Sequence, residues 1–244
     1  MSGKDNKKNN KTRKIVKEGV NTLKENYLAI LIGVFVFFGI VGFLFSNKAP
    51  EGPSFSDISN EGILMGKADA PVKIIQYSDF LCPHCAEFSQ DIFPKFKKDF
   101  IDTGKVRYEF RSMAYVSEEK EGSKVSALGG YCANDQGKFF EYQDNVYKKL
   151  NIAINKENKH PKRNDIFLKK DIKNIAKELK LNEEQFNTCL DDEKYSLKLQ
   201  EVGLKASKHG VTGVPYILVN GHAYASSISY SGLKALIEVG LNDK

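Results

Sequence analysis

The chain has 244 residues, of which 41% are hydrophobic and 28% charged, with a net charge of +6. That composition supports one folded domain with a core of ordinary size. It does not describe a polyanion binder: residues 1–26 hold eight basic and three acidic residues (+5), which leaves 29 basic against 28 acidic (+1) for the rest, whereas nucleic-acid binding needs a concentrated basic face.

In chain order, the basic tail 1–26 precedes an uncharged run, Tyr27–Phe45 (YLAILIGVFVFFGIVGFLF). As a helix it would be roughly 28 Å long, close to the hydrocarbon thickness of a bilayer. The run ends in Phe43-Leu44-Phe45-Ser46-Asn47-Lys48 without an A-x-A cleavage pattern, so an uncleaved anchor is favoured over a removed signal peptide. The basic side stays cytoplasmic, which exports the rest of the chain. The expected location is therefore the cell membrane, single-pass, with the folded body on the extracytoplasmic side. Residues 46–60, rich in Ser, Pro, Asn and Gly, read as a linker.

The body begins near Ile63. Val72–Tyr77 (VKIIQY) predicts a buried strand, followed by the turn residues Asp79-Phe80-Leu81. A helix then opens on Cys82-Pro83-His84-Cys85. Phe88, Ile92, Phe96 and Phe100 give it one apolar stripe. Pro83 fits the first turn, Pro94 predicts a kink, and Gly104 can cap the end. Lys105–Arg111 alternates as a second strand, so the run is β-α-β with a parallel pair. Residues 127–150, 171–179 and 195–206 carry helical patterns, with the polar stretch 151–167 as a loop. The Lys-rich stretch from Lys148 to Lys180 reads as a solvated helical surface. Asn182 with Gln185 resembles a helix cap. Tyr216–Val219 and Ala223–Tyr224 flank Asn220-Gly221, a hairpin signal, and residues 231–241 form a last amphipathic helix.

Four cysteines lie in the exported body, and an even count in an oxidising compartment allows two pairs. A Cys-x-x-Cys can be half of a zinc site, a structural disulfide or a redox pair. Zinc needs four ligands, and Cys132 and Cys189, 57 residues apart, offer no second half-site. At a helix start, positions i and i+3 lie about 5.5 Å apart, within disulfide range. The unpaired N–H groups and the helix dipole there stabilise a thiolate at Cys82. The strand before the pair and the helix after it favour redox chemistry. By position, Cys82 is expected to be exposed and nucleophilic, and Cys85 buried and resolving. A cationic His84 would further stabilise the thiolate. No metal or organic cofactor is implied, since the electrons reside on sulfur.

Over residues 62–244 these features resemble the thioredoxin fold and, within it, the DsbA-like exported disulfide oxidoreductases. The resemblance rests on Gly66, Asp69-Ala70-Pro71-Val72, Tyr77–Cys85 (YSDFLCPHC) and Gly210–Tyr216 (GVTGVPY). It implies an α/β thioredoxin fold, a small mixed sheet flanked by helices, with an inserted helical subdomain. The expected organisation is a tail (1–26), an anchor (27–45), a linker (46–60), a first thioredoxin part (61–118), an insertion (119–208) and a second thioredoxin part (209–244). Pro215 matches the family's cis-proline, and Pro83, Val214 and Pro215 take the substrate-contact positions. Cys132 and Cys189 match a structural disulfide found in parts of the family, with two buried free thiols as the alternative. The implied activity is oxidation of reduced exported proteins through a mixed disulfide on Cys82, with reoxidation by a DsbB-like or vitamin-K-epoxide-reductase-like quinone enzyme of the membrane. A disulfide isomerase or reductase, or a non-catalytic peptide-binding or chaperone module on the same fold, is the alternative.

Overall fold

The structure is a computed structural model that describes residues 62–116, 121–161, 166–225 and 229–242, together with Val34, Val36 and Phe37. The chain divides into two units, Met1–Pro50 and Glu51–Lys244. The tail and linker lie outside the described residues. So does the expected span, apart from its three described residues, which are helical and exposed. Among the described residues no helix is long and apolar enough to cross a membrane.

Five strands form one sheet in the order β1-β3-β2-β4-β5: β1 (Ile63–Met65), β2 (Val72–Ser78), β3 (Val106–Ser112), β4 (Tyr216–Val219) and β5 (His222–Ala225). β2 and β3 are parallel, with Val72 opposite Val106 and Ser78 opposite Ser112; the other neighbours are antiparallel. β2 is central and covered on both faces, so six of its seven residues are buried, Gln76 and Ser78 among them. β1 has three residues, too few for a periodic signal, and sequence reading placed no strand there. Asn220 and Gly221 both have positive φ (48° and 81°), the backbone a tight hairpin turn between β4 and β5 demands.

The helix after β2, α1, runs through four segments. Pro83–Glu87 and Phe93–Phe96 are α-helical, while Phe88–Ile92 and Lys97–Ile101 are π-helical. Pro94 sits in the first turn of an α segment, where its missing N–H is not needed. The expected kink therefore takes the form of wider turns around the proline. The helical stretch read over 127–150 is two helices, α2 (Gly122–Asn134) and α3 (Phe139–Asn155). They part at Gly137, whose φ of 69° ends a helix without strain. α4 (Lys169–Glu178) and α5 (Glu183–Asp191) follow, and Asn182 caps α5 by accepting from the Gln185 N–H at 3.0 Å. α6 (Ser196–Lys208) and α7 (Tyr230–Asn242) complete the chain.

Two apolar clusters flank the sheet. On one side Val72, Ile74, Tyr108 and Phe110 pack with α1, the helical subdomain and α7. On the other, Ile75, Tyr77, Tyr216 and Leu218 pack with Val202 and Ala206 of α6. α6, which sequence reading grouped with the insertion, thus covers the sheet. Each fully buried large apolar side chain contributes roughly 1.5–3 kcal/mol. A buried polar chain crosses the sheet beside the second cluster. Arg111 donates to Glu109 at 2.7 Å and to the Tyr77 hydroxyl at 2.7 Å, and that hydroxyl lies 2.8 Å from His209 Nδ1.

Candidate active site

The C-terminal end of β2 delivers the residues that matter. Ser78 ends the strand, Asp79-Phe80-Leu81 turn, and Cys82 caps α1 with extended backbone (φ −86°, ψ 119°). Phe80 fastens this turn to the helical subdomain. Its ring meets Tyr142 edge-on at 5.6 Å and lies 5.4 Å from Tyr147 and 6.0 Å from Phe110. Gly122 permits the same approach from α2, since a Cβ there would stand 2.2 Å from the Ile166 carbonyl oxygen and 2.8 Å from Leu81.

Cys82 and Cys85 are unbonded thiols in this structure. Their environments pull them apart. A hydrogen bond from the Cys85 thiol, aided by the backbone N–H groups of Cys85 and His84, outweighs burial and brings the Cys82 thiol down to about 7. Burial, reinforced by the neighbouring Cys82 sulfur, pushes Cys85 well above the ordinary thiol value, against a hydrogen bond from the Ser78 hydroxyl. One sulfur is therefore readily a thiolate and the other holds its proton.

Cys82 differs from expectation in one respect: it is only 5% exposed. The reason is the loop before β4. Val214–Pro215 is a cis peptide, and the Val214 carbonyl accepts from the Cys82 thiol at 3.2 Å. Pro83 and His84, by contrast, are exposed. His84 reaches Cys82 through its backbone N–H, while its imidazole Nδ1 lies 3.4 Å from Glu87. Cys132 of α2 and Cys189 of α5 are joined in a disulfide, with Cα atoms 5.9 Å apart and 57 residues between them in sequence. That bond ties two helices of the subdomain and lies apart from the thiol pair in the chain.

Four residues at the site carried no functional reading in the sequence. Ser78 and Tyr147 bring hydroxyls to within 2.9 Å of each other beneath Cys85. Asp79 is fully buried and accepts four hydrogen bonds. Tyr115, past the end of β3, donates to the Thr212 carbonyl at 2.9 Å. Asp79 carried a signal that is legible afterwards: an acidic residue wedged between a buried strand and two buried apolar residues needs partners. Tyr115 carried none, because its place depends on the parallel register that sets Ser112 beside Ser78.

A thioredoxin-like sheet, a dithiol at a helix start with divided proton affinities and a cis-proline loop over the lower-pKa sulfur define a thiol:disulfide oxidoreductase of the DsbA-like kind. A family model described as Thioredoxin matches residues 59–239, and the chain belongs to that family. It is similar to the probable disulfide bond formation protein D of Bacillus anthracis, 27% identical over 221 residues, which cover 89% of this chain and 96% of that protein. Disulfide bond formation protein D of Bacillus subtilis (strain 168) is 27% identical over 185 residues, 74% of this chain and 78% of that protein. Among solved structures, oxidised BdbD from Bacillus subtilis superposes with a TM-score of 0.64 at 26% identity, covering 78% of this chain and 96% of that one. The α-DsbA1 of Wolbachia pipientis shares the fold, with a TM-score of 0.64 at 22% identity over 75% of this chain and 92% of that one.

Proposed function

We propose that this protein is a thiol–disulfide oxidase that introduces disulfides into exported proteins through Cys82 and Cys85. The observation that carries the dithiol exchange is the split between the two sulfurs, about 7 for Cys82 and well above the ordinary value for buried Cys85. The oxidising direction rests on Cys-Pro-His-Cys and on the names of the Bacillus relatives. In the oxidised protein a client thiolate attacks the Cys82 sulfur. The Cys82–Cys85 bond breaks, and Cys85 leaves with the electron pair and takes up a proton. A second client thiolate then attacks the client's own sulfur in the mixed disulfide. Cys82 leaves as a thiolate, which its low pKa favours. The client gains a disulfide, and two electrons remain on Cys82 and Cys85.

Val214 and cis Pro215, with Pro83 at the rim, are the surface for an extended client backbone. The Val214 segment lies against the attacked sulfur. A protonated His84 would add positive charge beside the Cys82 thiolate and also pair with Glu87. The Cys132–Cys189 bond is structural in this reading. The names of the Bacillus relatives, disulfide bond formation protein D, support the oxidising direction.

The apolar run 27–45 and the charge of the tail before it support a single-pass membrane anchor with a cytoplasmic N-terminus and an extracytoplasmic catalytic domain. A quinone-linked membrane reoxidase, DsbB-like or vitamin-K-epoxide-reductase-like, would then recover the disulfide. Mixing the oxidised protein with a reduced two-cysteine peptide tests the reading: stoichiometric transfer of the disulfide to the peptide is expected, and a peptide left reduced contradicts it.

A further inference from the structure

Asp79 stands three residues before Cys82 and has no exposed surface. Its Oδ1 accepts from the Leu81 N–H at 2.7 Å and from the Ser123 hydroxyl at 3.0 Å. Its Oδ2 accepts from the N–H groups of Tyr115 at 2.6 Å and Val116 at 2.8 Å. One carboxylate thus holds three stretches of chain: the turn into α1, the loop after β3 and the first turn of α2. All four donors are neutral and no cation is among them. Burial raises the Asp79 carboxyl above its ordinary value against the pull of these four bonds, so a charge held there costs stability.

The connection continues beyond Asp79. The Tyr115 phenol donates to the Thr212 carbonyl at 2.9 Å. Two residues on, the Val214 carbonyl accepts from the Cys82 thiol at 3.2 Å. The path closes on itself: Cys82, Leu81, Asp79, Tyr115, Thr212, Val214 and back to Cys82. We propose that Asp79 is a positioning residue for the redox centre. It clamps the Cys82 turn to the Tyr115–Val116 loop and, through Tyr115, to the cis-proline loop, and so sets how closely the Val214 carbonyl lies over the Cys82 sulfur. The proposal deepens, and rests on, the dithiol chemistry assigned to Cys82.

Two consequences follow from the chemistry of the ring. A carbonyl accepts from a thiol and repels a thiolate, so holding the Val214 oxygen near the sulfur restrains ionisation of Cys82. The charge of Asp79 acts in the same sense. The segment held by Tyr115 is also the surface proposed for the client backbone, so loosening the ring weakens client binding ahead of the exchange step. The ionisable groups around Cys82 are Cys85, Asp79 and Tyr147, with His84 and Glu87 on the exposed side. A Tyr115→Phe substitution alters none of them.

Three variants separate the parts. Tyr115→Phe removes one hydroxyl from a residue that is 40% exposed. Asp79→Asn removes the charge, and Asp79→Glu keeps the charge but displaces it by one methylene. Each is read by the thiolate absorbance of the reduced protein against pH, and by initial rates with a reduced two-cysteine peptide. Tyr115→Phe is expected to raise KM about fivefold, the worth of one hydrogen bond, with kcat within about twofold of the parent, and to lower the Cys82 midpoint. Asp79→Asn lowers the midpoint further, and Asp79→Glu raises KM as Tyr115→Phe does. A Tyr115→Phe protein matching the parent in both KM and midpoint overturns the proposal. So does an Asp79→Glu protein with the parent KM, which would leave Asp79 as a charge alone. If the Asp79 variants do not fold, Tyr115→Phe decides. A parent protein whose Cys82 ionises but which oxidises no peptide would sink the proposed function instead, and the ring is then judged on the midpoints.

Discussion

The Cys82 thiol donates to the carbonyl of Val214 at 3.2 Å, across 132 residues of sequence. The contact joins the start of α1 to the loop before β4, and it explains why a sulfur at a helix N-terminus is almost covered. In the proposed function a client reaches this sulfur along the Val214–Pro215 segment, so attack and binding would share one surface.

The two sulfurs are not interchangeable, and their variants differ accordingly. Cys82→Ser is expected to abolish disulfide transfer. Cys85→Ala leaves the Cys82 sulfur without its resolving partner. Attack of the Cys82 thiolate on a client disulfide, which releases the client's other sulfur as a thiolate, then gives a mixed disulfide that accumulates and appears as a higher-mass band on non-reducing gels. The reverse pattern, with adducts on Cys85 in a Cys82→Ala protein, contradicts the assignment.

Stability of the reduced protein should depend on pH in a defined window. Cys82 is depressed in the folded protein, to about 7 from an ordinary 9.0. A depressed group stabilises the fold above its unfolded pKa and loses that contribution as pH falls through its folded pKa. Cys85 is raised and acts oppositely only above the ordinary thiol value. Between about pH 6 and about pH 8.5, urea unfolding of the reduced form should therefore gain about 2 kcal/mol relative to the oxidised form. A difference that is flat or falls with pH rules out a stabilised Cys82 thiolate.

Much of this site is written locally. The strand Val72–Ser78, the Cys-x-x-Cys at a helix start and the Asn220-Gly221 hairpin each follow from a few adjacent residues. What the sequence hides are long-range pairings. Tyr115 reaches Thr212 only because the loops after β3 and before β4 converge, and Val214 covers Cys82 for the same reason. The break at Gly137 between α2 and α3 is by contrast locally legible, in the polar turn-forming run Asn134-Asp135-Gln136-Gly137-Lys138, while the π turns of α1 keep nearly helical spacing. The burial of Asp79 depends on four donors from three stretches of chain.

The Cys132–Cys189 bond closes a 57-residue separation. In the chain-entropy picture its loss costs about 4 kcal/mol, as an upper figure. A Cys132→Ser/Cys189→Ser protein should therefore unfold at lower urea while still passing disulfides to a peptide. An unchanged unfolding midpoint contradicts a stabilising role, and lost transfer in a folded variant contradicts a purely structural one.

Arg111 and Glu109 form a fully buried ion pair at 2.7 Å. Removing one partner strands the other charge in a low-dielectric interior. Arg111→Met should destabilise the fold by roughly 3–5 kcal/mol in urea unfolding. A loss below about 1 kcal/mol would mean that the Glu109 carboxylate finds water or a proton without disturbing the sheet.

The direction of exchange turns on one quantity, the reduction potential of the Cys82–Cys85 couple, measured by equilibration with glutathione buffers. Stabilisation of the Cys82 thiolate favours the reduced form and so makes the disulfide oxidising. A potential above about −200 mV is predicted. A value of about −270 mV or lower, in the range of cytosolic reductants, would contradict the oxidase and assign the same site to reduction.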